Sequence, residues 1–160
     1  MVKKLYLLRH AQASSQSEKD FDRPLTPEGE RVVRHLAKFL EDKEIEIDRI
    51  LSSSAIRAMA TANILAENLG VVVKPVDELY EASARTFLGT INGIEEKYGK
   101  VLIVGHNPTI TYLAEYLTNE AFQFETAGLV EMTLSETKWS EVGEKSAEFV
   151  AYSSPANYAP

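Results

Sequence analysis

Four short apolar runs, each followed by a segment with helical periodicity, constrain this chain more than any other feature. Lys3 to Leu8 is bounded by charges and reads as a buried strand ending at Arg9-His10. Ile47 to Leu51 is a second strand and Val71-Val72-Val73 a third, with Pro75 tolerable only near its end or at a sheet edge. Val101-Leu102-Ile103-Val104 is continuously apolar, as suits a strand covered on both faces.

Helix signals separate these runs. Thr26 is placed as an N-cap with Pro27 at the first helical position, and Val32, Val33, Leu36, Phe39 and Leu40 then fall on one face, ending near Glu41 to Glu44. Ser52, Ser53 and Ser54 offer caps for a helix whose apolar positions include Ile56, Met59, Ala60, Ile64 and Leu65, and which Gly70 stops. A third helix is expected from about Thr86 to Tyr98. Asn107 can cap and Pro108 open a fourth, with Ile110, Leu113, Ala114 and Leu117 inward. Ala11 to Arg23 is polar and aperiodic, a loop. After Gly128 the pattern changes: Leu129 to Leu134 and Glu148 to Tyr152 alternate with no helix between them, as an antiparallel pair at the edge. The expectation is an α/β fold of three layers, α/β/α, with a mostly parallel central sheet and an antiparallel edge. With no repeat or linker, residues 1–160 read as one domain, and Ser153 to Pro160 as a loosely held tail.

Composition removes several kinds of function. The chain has no cysteine, which excludes a disulfide framework, a thiolate nucleophile and Cys-ligated metal. The start of the chain lacks the core of a signal peptide, and no run approaches the ~18 apolar residues of a spanning helix. A cytoplasmic protein without a membrane partner is expected. Lys and Arg number 17 against 24 Asp and Glu, a formal charge of −7 with no basic run, so nucleic acid is not an expected partner. Any anion site must be a local exception.

Such an exception is visible. Of three histidines, His10 and His106 stand at the carboxyl ends of the two most strand-like runs, where open α/β sheets bind ligands. Arg9 adjoins His10, and Arg57 falls in the first turn after the second strand, at the same rim. A doubly charged phosphoryl group is the natural guest, because guanidinium forks match its oxygens and helix amino ends add N–H donors. A neutral imidazole has a free lone pair near pH 7 and can accept the phosphoryl group in line. Taken singly, each residue has an ordinary structural reading: a surface Arg-His pair, a turn histidine in Gly105-His106-Asn107-Pro108, a solvated Arg57. Their convergence is the stronger argument. His35 lies off its helix's apolar face and reads as solvated, as does Glu41-Asp42-Lys43-Glu44. Asp20 and Asp22 lack the spacing of a metal site.

Four motifs then match a known family in order: Leu7-Leu8-Arg9-His10; Arg23-Pro24-Leu25-Thr26-Pro27-Glu28-Gly29; Ser52-Ser53-Ser54-Ala55-Ile56-Arg57-Ala58 with Thr61-Ala62; and Val104-Gly105-His106-Asn107-Pro108. They resemble the histidine phosphatase superfamily, with its phosphoglycerate-mutase-like fold, and within it the short SixA-type phosphohistidine phosphatase branch. The resemblance implies that His10 becomes a phosphohistidine intermediate while Arg9, Arg57 and His106 hold the phosphoryl oxygens, with Asn107 beside them in the binding site. It implies no metal or organic cofactor. Ala11 stands where the family usually has glycine, and its methyl group is expected to fit unless φ must be positive. Larger members place a carboxylate after the third strand, and Glu81 in Leu79-Tyr80-Glu81 is the corresponding candidate proton donor, or else an exposed carboxylate at a helix start.

The expected reaction is metal-independent removal of phosphate from phosphohistidine in a protein, the partner being a phosphohistidine-bearing signalling domain. The alternatives are a phosphatase for small phosphate esters, a mutase, or a non-catalytic phosphate-binding module.

Overall fold

A computed structural model describes residues 2–134 and 137–160. Its elements are β1 (Lys3–Arg9), α1 (Pro27–Asp42), β2 (Arg49–Ser53), α2 (Ile56–Leu69), β3 (Val73–Val76), α3 (Ala84–Asn92), β4 (Lys100–Gly105), α4 (Thr109–Thr118), β5 (Leu129–Leu134), β6 (Glu148–Ser153) and α5 (Pro155–Tyr158). The six strands form one sheet in the order β3-β2-β4-β1-β5-β6. β3, β2, β4 and β1 are parallel, whereas β5 runs antiparallel to β1 and β6 antiparallel to β5. The fold is the α/β arrangement expected, with the antiparallel pair at one edge and Pro75 on the edge strand at the other.

Strand side chains alternate between two cores, as the twofold strand period requires. Tyr6 and Leu8 of β1 join Ile50, Leu102 and Val104 under α1 and α2. Leu5 and Leu7 join Leu51, Val101 and Ile103 under α3 and α4, with Trp139 beside them. Both faces are covered at β1 and β4, which is why these two strands read as unbroken apolar runs, whereas the edge strand β3, Val73–Val76, is largely exposed. β1 and β4 lie side by side, with Arg9 opposite Gly105, so His10 and His106 leave the sheet together.

Several local expectations change. α2 buries Arg57, Ala58, Thr61, Ala62 and Leu65, while Ile56 is 42% exposed, so its inward face is turned to include the arginine. The serines do not cap α2 as a group: β2 runs through Ser53, and only Ser53 Oγ accepts from Ala55 N–H, at 3.3 Å. α3 starts at Ala84 behind a Ser83 cap and stops at Gly93, because the chain must turn back toward β4. α4 begins at Thr109, one residue after Pro108, and Asn107 accepts from the Thr111 hydroxyl at 2.6 Å instead of from a backbone amide. The tail is not loose. α5 docks beside α1, with Tyr158 and Ala159 buried, because the Tyr158 ring packs near Phe39 and its hydroxyl finds a main-chain acceptor.

Candidate active site

The parallel register places the end of β1 against the end of β4, and the start of α2 faces both from β2. The ring centroids of His10 and His106 are 5.2 Å apart. Arg57 Nε donates to His10 Nε2 at 3.3 Å, and the Arg57 side chain is buried. Arg9 projects beside them, its Nη1 donating to the carbonyl of Phe124 at 2.9 Å. All four residues singled out at the sheet rim therefore meet.

Hydrogen bonding assigns the two imidazoles different faces. His10 Nδ1 lies 2.8 Å from the carbonyl of Ala11, which can only accept, so Nδ1 carries the proton and Nε2 presents a lone pair. His106 Nε2 lies 2.8 Å from Ser53 Oγ. That oxygen already accepts from Ala55, and in its buried setting both groups are satisfied when the hydroxyl donates to Nε2. The His106 proton is then on Nδ1. Arg9 Nε and His106 Nδ1 are buried without a hydrogen-bond partner. One histidine thus offers an electron pair and the other an N–H donor.

Burial keeps both rings neutral. Desolvation, with the positive field of Arg57 and Arg9 added, lowers His10 to about 3 despite its Ala11 hydrogen bond. Desolvation, then Arg57, lowers His106 to about 4, with Asp20 acting in the opposite direction. An imidazole held at about 3 is unprotonated throughout the neutral range, as a nucleophile must be.

Asp20, which was not among the expected site residues, reaches the same rim and holds Arg57. Its main-chain carbonyl accepts from Arg57 Nη1 at 2.8 Å and its carboxylate from Arg57 Nη2 at 3.0 Å. Tyr80 and Arg23 also donate to the carboxylate, at 2.8 and 3.0 Å. These donors, Tyr80 first, hold the Asp20 carboxyl far below the usual carboxylate range. The two-point contact fixes the plane of the guanidinium and directs Nε to His10. The available signal was Asp20 three residues before Arg23 in a loop long enough to fold back over α2.

Asp20, Arg57, Tyr80, Glu81, His106 and Asn107 line a cleft of about 260 Å³. Glu81 is exposed on its wall and has φ of 56°, in the left-handed region that residues with a Cβ rarely adopt. Asn107 is exposed as well, and its Nδ2 donates at 3.4 Å to the Phe124 carbonyl that also holds Arg9. Ala11 is fully buried outside the left-handed region, its N–H donating to Thr61 Oγ1 at 3.1 Å, so the methyl group fits. A larger groove of about 480 Å³ beside β3 and α3 shares no lining residue with this cleft. Among the described residues no cluster of His, Cys, Asp or Glu could hold a metal ion, and no helix is long and apolar enough to cross a membrane.

Residues 5–98 match the model of the histidine phosphatase superfamily, branch 1. The chain belongs to this superfamily. It is similar to the phosphohistidine phosphatase SixA of Escherichia coli, with 28% identity covering 83% of this chain and 86% of the relative. A solved structure assigned as SixA from Nakamurella multipartitia superposes with a TM-score of 0.87 at 25% identity, covering 97% of each chain. A SixA described as a protein histidine phosphatase in complex with tungstate superposes with a TM-score of 0.84 at 26% identity, covering 96% of this chain and 98% of that one. The superfamily match spans the segments that carry Arg9, His10, Arg23 and Arg57, and the superpositions, covering 96–97% of this chain, include the segment of His106 and the antiparallel edge.

Proposed function

We propose that this superfamily member is a metal-independent phosphatase in which His10 is the nucleophile and phosphohistidine borne by a protein is the substrate. The observation that carries the reading is the His10 ring: Nδ1 is tied to a carbonyl, and the unprotonated Nε2 accepts a long hydrogen bond, 3.3 Å, from an arginine that can turn to the phosphoryl group as Nε2 attacks. Nε2 attacks phosphorus as the bond to the substrate's imidazole nitrogen breaks and that ring keeps the electron pair. Arg9 and Arg57 neutralise the equatorial oxygens, and His106 Nδ1–H donates to one of them. Water then attacks the phosphorus on His10. The P–N bond breaks, its electron pair returns to Nε2, and inorganic phosphate leaves carrying both protons of the water.

The leaving group favours phosphohistidine over an ester. An alkoxide needs a proton on departure, and Asp20 in the cleft is held ionised, so it has none to give. An imidazole protonated on its other nitrogen leaves as a neutral ring. A SixA structure complexed with tungstate, a tetrahedral oxyanion like phosphate, supports the reading that this fold takes such an anion.

The test is to incubate the protein with a 32P-phosphohistidine-bearing domain and trap the enzyme. Phosphate release through an acid-labile, base-stable phosphoenzyme, both absent in His10→Ala, is expected. Full release by His10→Ala would overturn the proposal, and binding without release would mark a recognition module. A small-ester phosphatase is the second reading, favoured by Glu81 on the cleft wall. It requires Glu81→Gln to slow ester turnover severely, whereas the phosphohistidine reading expects little change on its own substrate.

A further inference from the structure

The C-terminal segment reaches the proposed nucleophile through one loop. The Tyr158 hydroxyl donates to the carbonyl of Ala127 at 2.6 Å. The Ala127 N–H in turn donates to the main-chain carbonyls of Arg9 at 3.0 Å and His10 at 3.1 Å, and Arg9 N–H donates to the Gly128 carbonyl at 3.1 Å. Three residues earlier, Phe124 accepts from the Arg9 guanidinium. Residues 124–128 therefore hold Arg9 at both ends, by its backbone and by its side chain. Ala127 makes these contacts at φ of 58° while buried, a conformation that a residue with a Cβ keeps only when its surroundings hold it. The hydroxyl of Tyr158 is the side-chain group that holds it.

We infer that Tyr158 is a positioning residue for the anion site, acting through Ala127 to fix Arg9 and His10 at the end of β1. Folding stability alone would not require this arrangement, since the Tyr158 ring already packs near Phe39. The hydroxyl adds a directional constraint two contacts from the Nε2 lone pair. Removing it leaves a buried carbonyl without its donor and gives Ala127 a reason to relax toward ordinary backbone angles. Arg9 then loses its register against the phosphoryl oxygens.

The inference rests on the cleft being a phosphoryl pocket, as proposed above, so its test has one arm independent of that reading. In Tyr158→Phe the ring is kept and the hydroxyl lost. Orthophosphate affinity, measured by calorimetry on the full chain, is expected to weaken roughly 5- to 50-fold, the scale of losing one well-aligned hydrogen bond to a charged group. The Ala127 amide in the free protein should exchange with solvent at least tenfold faster than the variant's global destabilisation accounts for. Phe39→Leu trims the packing but leaves the hydroxyl, and should lower stability without changing phosphate affinity. If Tyr158→Phe binds phosphate within twofold of wild type, or Ala127 exchange tracks global stability alone, the positioning role is refuted. A wild-type protein that fails to bind phosphate would fault the pocket reading, and amide exchange would still decide the inference.

Discussion

Two buried neutral imidazoles should make this protein lose stability steeply on mild acidification. His10 is held at about 3 and His106 at about 4, against an ordinary value of 6.5. In the unfolded chain both titrate near the ordinary value. Below it the unfolded state binds protons that the folded state refuses, so the stability is fully present above about 6.5 and is lost as pH falls toward the folded values. Taken from pH 7.5 to pH 5, each histidine removes about 2 kcal/mol, and the pair about 4 kcal/mol. The result depends mainly on the unfolded value and the chosen pH, and hardly on the folded values while both stay below 5. Against a domain stability of about 5–15 kcal/mol, the loss is large.

Carboxylates cannot imitate the effect in this window. Asp20 is held low in the fold, so its contribution is present above its unfolded value of about 3.9 and disappears only as pH falls below that. Urea unfolding followed by circular dichroism at pH 7.5, 6.5 and 5.0, at constant ionic strength, measures the loss. The His10→Gln/His106→Gln double variant should show less than about 1 kcal/mol of dependence over the same range, and each single variant about half the wild-type loss. A wild-type change under about 1 kcal/mol would refute the reasoning, as would an NMR titration of either ring with its midpoint near the ordinary value.

Other consequences are open to direct measurement. Asp20→Ala frees one arm of the Arg57 clamp and should lower kcat/KM roughly tenfold with the fold retained, so unchanged kinetics would remove Asp20 from the site. Ser53→Ala takes away the donor at His106 Nε2, and 15N spectra of the histidine rings should change from one His106 tautomer to a mixture, with a fall in kcat. A single unchanged tautomer would contradict the assignment. Gly29→Ala would put a Cβ 2.3 Å from the Gln12 carbonyl, and its unfolding midpoint should report a loss of about 1–3 kcal/mol. Wild-type stability in that variant would mean that the close approach relaxes freely.

How much of this was legible in the sequence follows from how local each cause is. β1 and β4 were readable because both faces of the sheet are covered and the chain there is simply apolar. The α1 cap was readable because Thr26, Pro27 and Gly29 act within four residues of one another, Thr26 Oγ1 accepting from Gly29 N–H at 2.9 Å. The inward face of α2 differs from the apolar pattern because Ile56 is apolar and Arg57 is not, and the charged residue goes inside to meet Asp20 and His10. The contact of Asp20 with Arg57 and that of Tyr158 with Ala127 were far harder to read from the sequence. Their partners, Arg57 and Ala127, lie 37 and 31 positions away, and no spacing rule reports a contact at that range.

The site joins two demands that conflict in most settings. A histidine nucleophile must stay unprotonated, and the group it attacks must be held by concentrated positive charge. Burial at the rim of the sheet serves both at once. It penalises the imidazolium form directly, and by excluding water it would let Arg9 and Arg57 act on the phosphoryl oxygens of the proposed substrate through a weaker dielectric. The same arginines then lower the histidines further, so in the proposed reaction the charge that would bind the anion would also keep the nucleophile ready. A bound dianion reverses part of this by offsetting the arginine field, which raises both ring pKa values in the complex. Phosphate at saturating concentration should therefore move the His10 titration upward. An unmoved His10 titration with phosphate bound would mean that the anion and the imidazole do not share one pocket.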